Sequence, residues 1–347
     1  MELLMNCTVP FDTQRSLVRQ SCSDIYRSVI GRADRMRIAT GYITADSIIE
    51  LMRAIGENKR PYTELLIGMS YFEKFTHTQY DAVMALNNML RNEDLGCVYL
   101  SDKTRFHGKM YSFSKNNTCI SSIVGSSNLG SFIGTSNDLF ETDCLFYDNE
   151  AELIDSAISH LMAEIASPLF ALPAITDFIS EPNILDGHLG VEKVSPSEYS
   201  NLCQKQTGIR FPLALKAEAK SNLNCFFGKG RLNSQTGFIQ PRPWYEVEMI
   251  ISKKVTCSEN YPKNSVFEVY TDDMYKFRCT TNGTYSKNFR SADDLKILGK
   301  WIKGRMESEN ALTIGQPVTE EVLNKFGHHN ILLCQTTEPH KWLLNLD

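Results

Sequence analysis

Between Phe106 and Phe146 the chain reads FHGKMYSF, then IVGSSNLG, then FETDCLF. In a strand successive side chains alternate faces, so His107 and Lys109 would point the same way while Gly108 clears the other side. An imidazole and an ammonium would then look into a common space. The apolar run CISSIV ends in Gly125-Ser126-Ser127-Asn128, which puts two hydroxyls and an amide at the end of a second strand. Glu141 opens a third strand-like run that continues to Tyr147. A nucleophile or base, a cation, several phosphate-compatible donors and a carboxylate on adjacent strands suit phosphoryl transfer.

The elements that must position these residues follow from periodicity. Met36–Ile43, Thr63–Met69 and Cys97–Leu100 read as strands, and Ala45–Ile55, His77–Leu90 and Glu150–Ala166 carry helical spacing of apolar residues. Strands alternating with helices predict an α/β layer with a parallel or mixed sheet over residues 1–175. Pro168, Pro173 and Pro182, with Gly187 and Gly190, mark residues 176–200 as a connector. Over residues 201–347 the pattern changes to short strands between Asn, Gly and Pro turns, among them Tyr245–Ile251, Ser265–Thr271, Tyr275–Thr280, Ile331–Gln335 and Trp342–Leu346. Helical pieces at Asp293–Lys300 and Glu320–Lys325 interrupt them, and the expected architecture is a compact β-barrel.

Composition narrows the partner. An apolar content of 42% and a charged content of 22% are those of an ordinary globular protein, and no apolar run reaches the length of a membrane span. The N-terminal stretch, with Glu2 and only a brief apolar patch, does not read as a secretory signal. Ten cysteines lie far apart with no C-x-x-C, which reads as a reduced set and predicts a cytoplasmic location. The net charge of -5 is unevenly distributed: Ser221–Arg305 holds 14 Lys and Arg against 8 Asp and Glu, or +6, leaving 22 against 33, or -11, elsewhere. Basic charge concentrated in one segment is what a nucleic-acid footprint requires.

The order H-x-K, G-S-x-N and a downstream Glu resembles the phospholipase D superfamily, and most closely its nuclease branch. His107, Lys109, Ser126 or Ser127, Asn128 and Glu141 occupy the motif positions. The Asp of the full family pattern is absent, with Ser114-Lys115 in its place. The resemblance implies attack by His107 on phosphorus to give a phosphohistidine, with Glu141 accepting the other ring N–H. Lys109, Asn128 and Ser126 or Ser127 would bind the non-bridging oxygens. Such chemistry needs a second histidine as acid and base. None of the other six (His77, His160, His188, His328, His329, His340) has a Lys two positions later, so one motif per chain predicts a homodimer with two copies of His107 across a two-fold axis. No metal and no cofactor is expected, because Lys109 supplies the cationic role.

In the basic segment NLNCFFGKGRLN, PRPWYEVEM, TDDMYKFRC and TTNGTYSKNFRS interleave basic, amide and aromatic side chains. The runs from about residue 205 onward are similar to the B3-type DNA-binding barrel of phospholipase-D-class restriction endonucleases, and the two halves in this order resemble enzymes of the NgoFVII type. Two arms gripping a major groove are then expected, from Asn222 to Asn233 and from Asp272 to Arg290. Asn222, Arg231 and Asn233 are the candidate contacts on the first, and Lys287, Asn288 and Arg290 on the second. The implied partners are double-stranded DNA, a second copy of the chain and a DNA methyltransferase, with no membrane.

Three alternatives stand beside this. A metal-dependent nuclease would use an acidic pair followed by x-Lys, and Asp46 with Glu57-x-Lys59 and Asp273 with Asp294-x-Lys296 match only on helix-like or turn stretches. A phospholipase or phosphatidyl transferase could use the same catalytic set but calls for a membrane-seeking face. A DNA-binding regulator with an inactive nuclease domain would leave the constellation eroded.

Overall fold

The computed structural model describes residues 1–6, 21–58, 60–134, 139–232 and 239–347, which form two compact units, Met1–Glu181 and Pro182–Asp347. The first is built on β1 (Glu2–Asn6), α1 (Cys22–Ile30), β2 (Arg35–Thr40), α2 (Ala45–Glu57), β3 (Tyr62–Ile67), α3 (His77–Asn92) and β4 (Gly96–Ser101). It continues through β5 (Met110–Lys115), β6 (Thr118–Gly125), α4 (Leu129–Ile133), β7 (Glu141–Phe146), α5 (Asp148–Ile165) and β8 (Ala166–Pro168). The eight strands lie in the order β1-β7-β6-β5-β2-β3-β4-β8.

β2, β3 and β4 are parallel and are joined by α2 and α3, whereas β5, β6 and β7 run antiparallel to their neighbours. The mixed α/β layer expected from periodicity is the one formed. Each crossover helix starts where a hydroxyl satisfies an orphan N–H: Thr44 and Thr76 cap α2 and α3 in reciprocal capping boxes with Ser47 and Gln79. α3 buries Ala82, Val83, Leu86 and Leu90, one stripe at helical spacing. α5 buries Ala151, Asp155, Ile158 and Met162 in the same way, against Ala39 and Leu66 on one face of the sheet. On the other face Phe132 of α4 stacks on Tyr111 of β5 at 3.7 Å between centroids, and Tyr26 of α1 packs on Phe132.

Asp155 occupies a core position of α5 because three partners reach it: Arg37 at 2.7 Å, Arg35 at 2.9 Å and Ser112 at 2.6 Å. A buried carboxylate is tolerated only with such pairing.

The second unit contains β9 (Val191–Lys193), α6 (Pro196–Gln204), β10 (Gln206–Ala214), β11 (Arg231–Leu232), β12 (Ile239–Gln240), β13 (Met249–Ile250), β14 (Val266–Thr271), β15 (Tyr275–Asn282) and β16 (Asn288–Ser291). α7 (Ile297–Ser308), α8 (Glu320–Phe326), β17 (Asn330–Thr336) and β18 (Lys341–Leu346) complete it. Part of the 176–200 stretch, expected as a connector, folds into this unit, because β9 pairs antiparallel with β15 and the 196–204 segment is helical.

The main sheet runs β10-β17-β18-β14-β15-β16-β13. The compact β-barrel expected from the sequence is met in part: among the described residues the path is open, since β10 and β13 at its two ends are not paired with each other. β13 has only two residues and pairs with β16, and a side chain from beyond the end of β10 reaches it, Lys216 Nζ donating to the Ile250 carbonyl at 2.7 Å. The sheet is a curled half-barrel. Its core gathers Trp244, Val247, Phe267, Val269, Phe277, Phe289, Trp301, Leu333 and Leu344, all at most 2% exposed.

Candidate active site

Four adjacent strands present the candidate catalytic residues at one end of the first sheet. His107 and Lys109 precede β5, Asn128 follows β6, Glu141 begins β7, and Gly41-Tyr42 follow β2. The H-x-K triplet lies just ahead of β5, not inside a strand as periodicity suggested. Backbone bonds nevertheless hold it extended: Phe106 N–H donates to the Gly68 carbonyl at 3.1 Å, and Gly125 N–H to the Lys109 carbonyl at 3.2 Å. This approach requires glycine at 68, where a Cβ would sit 1.9 Å from the Phe106 oxygen.

The two side chains meet as the alternation predicted. Lys109 Nζ is 3.2 Å from His107 Nε2 and donates to the His107 carbonyl oxygen at 2.6 Å. An ammonium has only hydrogens to offer, so Nε2 receives this bond and the ring proton sits on Nδ1. His107 is exposed and its ring meets the edge of Tyr42 at 5.4 Å, whereas Lys109 is only 6% exposed. Burial pulls the Lys109 ammonium below the usual lysine range, and Glu141 pushes it part of the way back.

Glu141 was expected on the His107 ring, and the structure gives its carboxylate other partners. Ser126 Oγ donates to Oε2 and Ser131 Oγ to Oε1, the latter at 3.3 Å. Asn128 Oδ1 accepts from Tyr42 N–H at 3.1 Å, which turns the amide so that Nδ2 is the end not engaged by Tyr42.

The adjacent serines differ in environment. Ser126 is exposed, while Ser127 is fully buried and tied to Asp143, Oγ to Oδ2 at 2.6 Å and N–H to Oδ1 at 3.1 Å. Asp143 also explains Gly125, where a Cβ would lie 2.2 Å from its Oδ1. Asp143 thus shapes the G-S-S-N turn from below. Sequence reasoning missed Tyr42, although a Gly-Tyr directly after a parallel strand in a layered α/β sheet is the kind of signal that marks a site.

In the second unit the expected arm residues separate. Asn222 is buried, 3% exposed, with φ +55 and its Oδ1 accepting from Ile250 N–H at 2.7 Å, so its side chain props β13. Asn233 lies outside the described residues. Lys287 is exposed; Asn288 and Arg290 share one face of β16 while Phe289 and Ser291 face the core. Arg231 and Arg290 lie against carboxylates, Arg231 Nη2 at 2.7 Å from Glu246 and Arg290 Nη1 at 3.8 Å from Glu248. Of the degenerate acidic pairs, Asp273 accepts from Thr271 and Trp301, Asp294 faces Lys296, and Lys59 lies outside the described residues. The nine described cysteines are free thiols, and no helix among the described residues is long and apolar enough to cross a membrane.

Solved structures similar to part of the chain include three with low scores. TrmBL2, an archaeal chromatin protein, is 12% identical over 48% of this chain, with a TM-score of 0.29, and the chain spans about half of it, 53%. Nuc from Salmonella typhimurium, a phospholipase D family member, is 16% identical, with 48% of this chain and 97% of that one covered and a TM-score of 0.31. A phosphatidylserine synthase of Haemophilus influenzae Rd KW20 is 13% identical, covering 48% of this chain and 39% of its own, with a TM-score of 0.33. Comparison with curated proteins finds no match. Two family models do match: residues 21–165 the NgoFVII restriction endonuclease N-terminal PLD domain, and residues 201–337 the NgoFVII C-terminal B3-like DNA-binding domain. With both halves matched in the order the motifs run, the chain belongs to the NgoFVII family of phospholipase-D-type restriction endonucleases with a C-terminal B3-like DNA-binding domain.

Proposed function

We propose that this chain is a metal-independent Type II restriction endonuclease that hydrolyses phosphodiester bonds of double-stranded DNA at a short specific sequence. The observation that carries the reading is the contact between Lys109 Nζ and Nε2 of an exposed His107, at one sheet end with Ser126, Asn128 and Glu141. When a phosphate enters, Lys109 turns from Nε2 to the non-bridging oxygens, and the freed Nε2 lone pair attacks phosphorus; a P–N bond forms and the P–O bond to the leaving oxygen breaks. Lys109 there offsets the negative charge that grows on the non-bridging oxygens, and Asn128 Nδ2 supports it. The imidazolium proton on Nδ1 is retained. Glu141 holds Ser126 and keeps negative charge near Lys109, a positioning role.

The leaving oxygen needs a proton, and water must later be activated to break P–N. In this reading the same residue of a second copy does both, so the active unit is a homodimer through the first unit, 1–175 as read from sequence. The second unit selects the sequence with Arg231, Lys287, Asn288 and Arg290; the burial of Asn222 removes it from that set. A methyltransferase that modifies the same site is the functional partner this role calls for.

The test is cleavage of mixed-sequence plasmid DNA, with fragment ends sequenced, in buffer with EDTA. Discrete ends in EDTA support the reading, and loss of cutting there overturns its metal independence. A denaturing quench of a single turnover at alkaline pH should trap DNA-linked protein that is lost on later acid treatment and absent in His107→Ala; an acid-stable adduct or none overturns the covalent route.

A further inference from the structure

The second unit contains a charge relay that links its two expected arms. Arg231, on β11 of the first, sets Nη2 2.7 Å from Glu246 Oε1 and donates from Nη1 to Oε2 at 3.1 Å. Arg242 Nη1 lies 3.3 Å from the same carboxylate and 3.7 Å from Glu248 Oε2. Glu248 Oε1 in turn lies 3.8 Å from Nη1 of Arg290, on β16 of the second arm. Five alternating charges thus run from one arm to the other, Arg231, Glu246, Arg242, Glu248 and Arg290.

The relay stands on a rigid base. α7 clamps the residues just before Glu246: Trp244 Nε1 and Tyr245 OH both donate to Glu307 at 2.7 Å, and Lys303 Nζ donates to the Trp244 carbonyl at 2.6 Å. Glu246 is 3% exposed. Burial raises its carboxyl above the usual range, and Arg231 and Arg242 draw it back down. A carboxylate so buried stays charged through its guanidinium partners, and it fixes them in return.

We infer that Glu246 is a positioning residue for DNA sequence discrimination, holding the guanidinium of Arg231 directly, and that of Arg290 through Arg242 and Glu248, at fixed spacing. The inference rests on the reading of the two segments as DNA arms and adds to it Arg242, Glu246 and Glu248. A bidentate contact to a base edge needs its fork already oriented, and the Arg231 guanidinium, with Nη1 bonded to Glu246 Oε2 and Nη2 in ion-pair contact with Oε1, still has N–H donors to present. The same carboxylates offset the attraction of free arginines for any phosphate, which carries no sequence information. The relay therefore raises discrimination at the expense of indiscriminate affinity.

The experiment selects bound duplexes from a random-sequence pool with the full-length His107→Ala chain and with the same chain carrying Glu246→Gln, and compares binding to the selected sequence and to the unselected pool. The expected result is a loss of preference of at least about tenfold, with affinity for the pool held or raised, because Gln keeps the shape and removes the charge. Weak information at the positions read by both arms, not one, would support the relay. Unchanged preference overturns the inference, as does an equal loss on both kinds of DNA. If Glu246→Gln melts below the assay temperature, Glu248→Gln, whose side chain is 17% exposed, is read by the same criteria. Should the parent chain select no sequence at all, the reading of the arms fails, which is a different outcome from failure of the relay.

Discussion

Lys109 Nζ lies 3.2 Å from His107 Nε2 and 2.6 Å from the carbonyl oxygen of the same residue. One ammonium thus fixes both the ring and the backbone of the candidate nucleophile, and it does so from a buried position. Replacing it by a residue of like size, Lys109→Met, removes the donor and frees the imidazole tautomer. The expected outcome in single-turnover cleavage is a drop of about 10²–10³, the size seen when one charge-stabilising donor is lost. DNA affinity should stay within a few-fold. A mutant that cuts as fast as the parent would remove Lys109 from the mechanism.

Ser126 and Ser127 are adjacent and should behave differently. Ser126 is exposed and bound to Glu141, so Ser126→Ala is expected to slow cleavage with little change in melting. Ser127 and Asp143 are buried against each other, so Asp143→Asn leaves the turn's hydroxyl and N–H with a poorer acceptor. A cost of about 1–3 kcal/mol in denaturant unfolding is expected there. Comparing unfolding and cleavage for the two mutants checks both; a stable Asp143→Asn protein would contradict the packing role.

Gly68 offers a backbone test of how the histidine is aimed. A methyl at this position would meet the Phe106 carbonyl at 1.9 Å, so the segment leading into His107 must move. Gly68→Ala is expected to cost about 1–3 kcal/mol of stability and to depress cleavage further than that loss explains. Gly41→Ala, whose added carbon would sit 3.2 Å from His107 Cδ2, should be milder. Unfolding midpoints and single-turnover rates of the pair, measured side by side, decide it.

Lys303 gives the second unit a pH signature. Its amine is buried, sits 3.1 Å over the Trp244 ring, and is pushed down by desolvation to about 7. Below that pH both folded and unfolded states carry the proton, and stability does not depend on it. Above it the folded state has lost the proton that the unfolded chain, with an ordinary lysine, still holds, so stability rises with pH from about 7 upward. One such proton contributes at most about 1.4 kcal/mol per pH unit. Unfolding of the wild type between pH 7 and pH 8.5 should show this rise, and Lys303→Met should flatten it. An identical slope in both proteins would show that Lys303 is charged when buried.

The sequence by itself determined the class of chemistry and the elements that carry it. H-x-K and G-S-S-N are local patterns, and helices such as His77–Asn92 are specified by a capping threonine and an apolar stripe within one segment, so both could be read from spacing. What the tertiary structure decided are relationships between residues far apart in the chain. That Glu141 bonds Ser126 and Ser131, that Ser127 is taken by Asp143, and that Asn128 is turned by Tyr42 depend on how strands register, and a one-residue shift would exchange exposed for buried partners. The open path of the second sheet escaped periodicity for a like reason: alternation marks which residues form strands, while closure depends on whether the end strands β10 and β13 meet, which no local pattern specifies. Asn222 looked like a groove contact because asparagine suits both a base edge and a left-handed turn, and only its burial distinguishes the two.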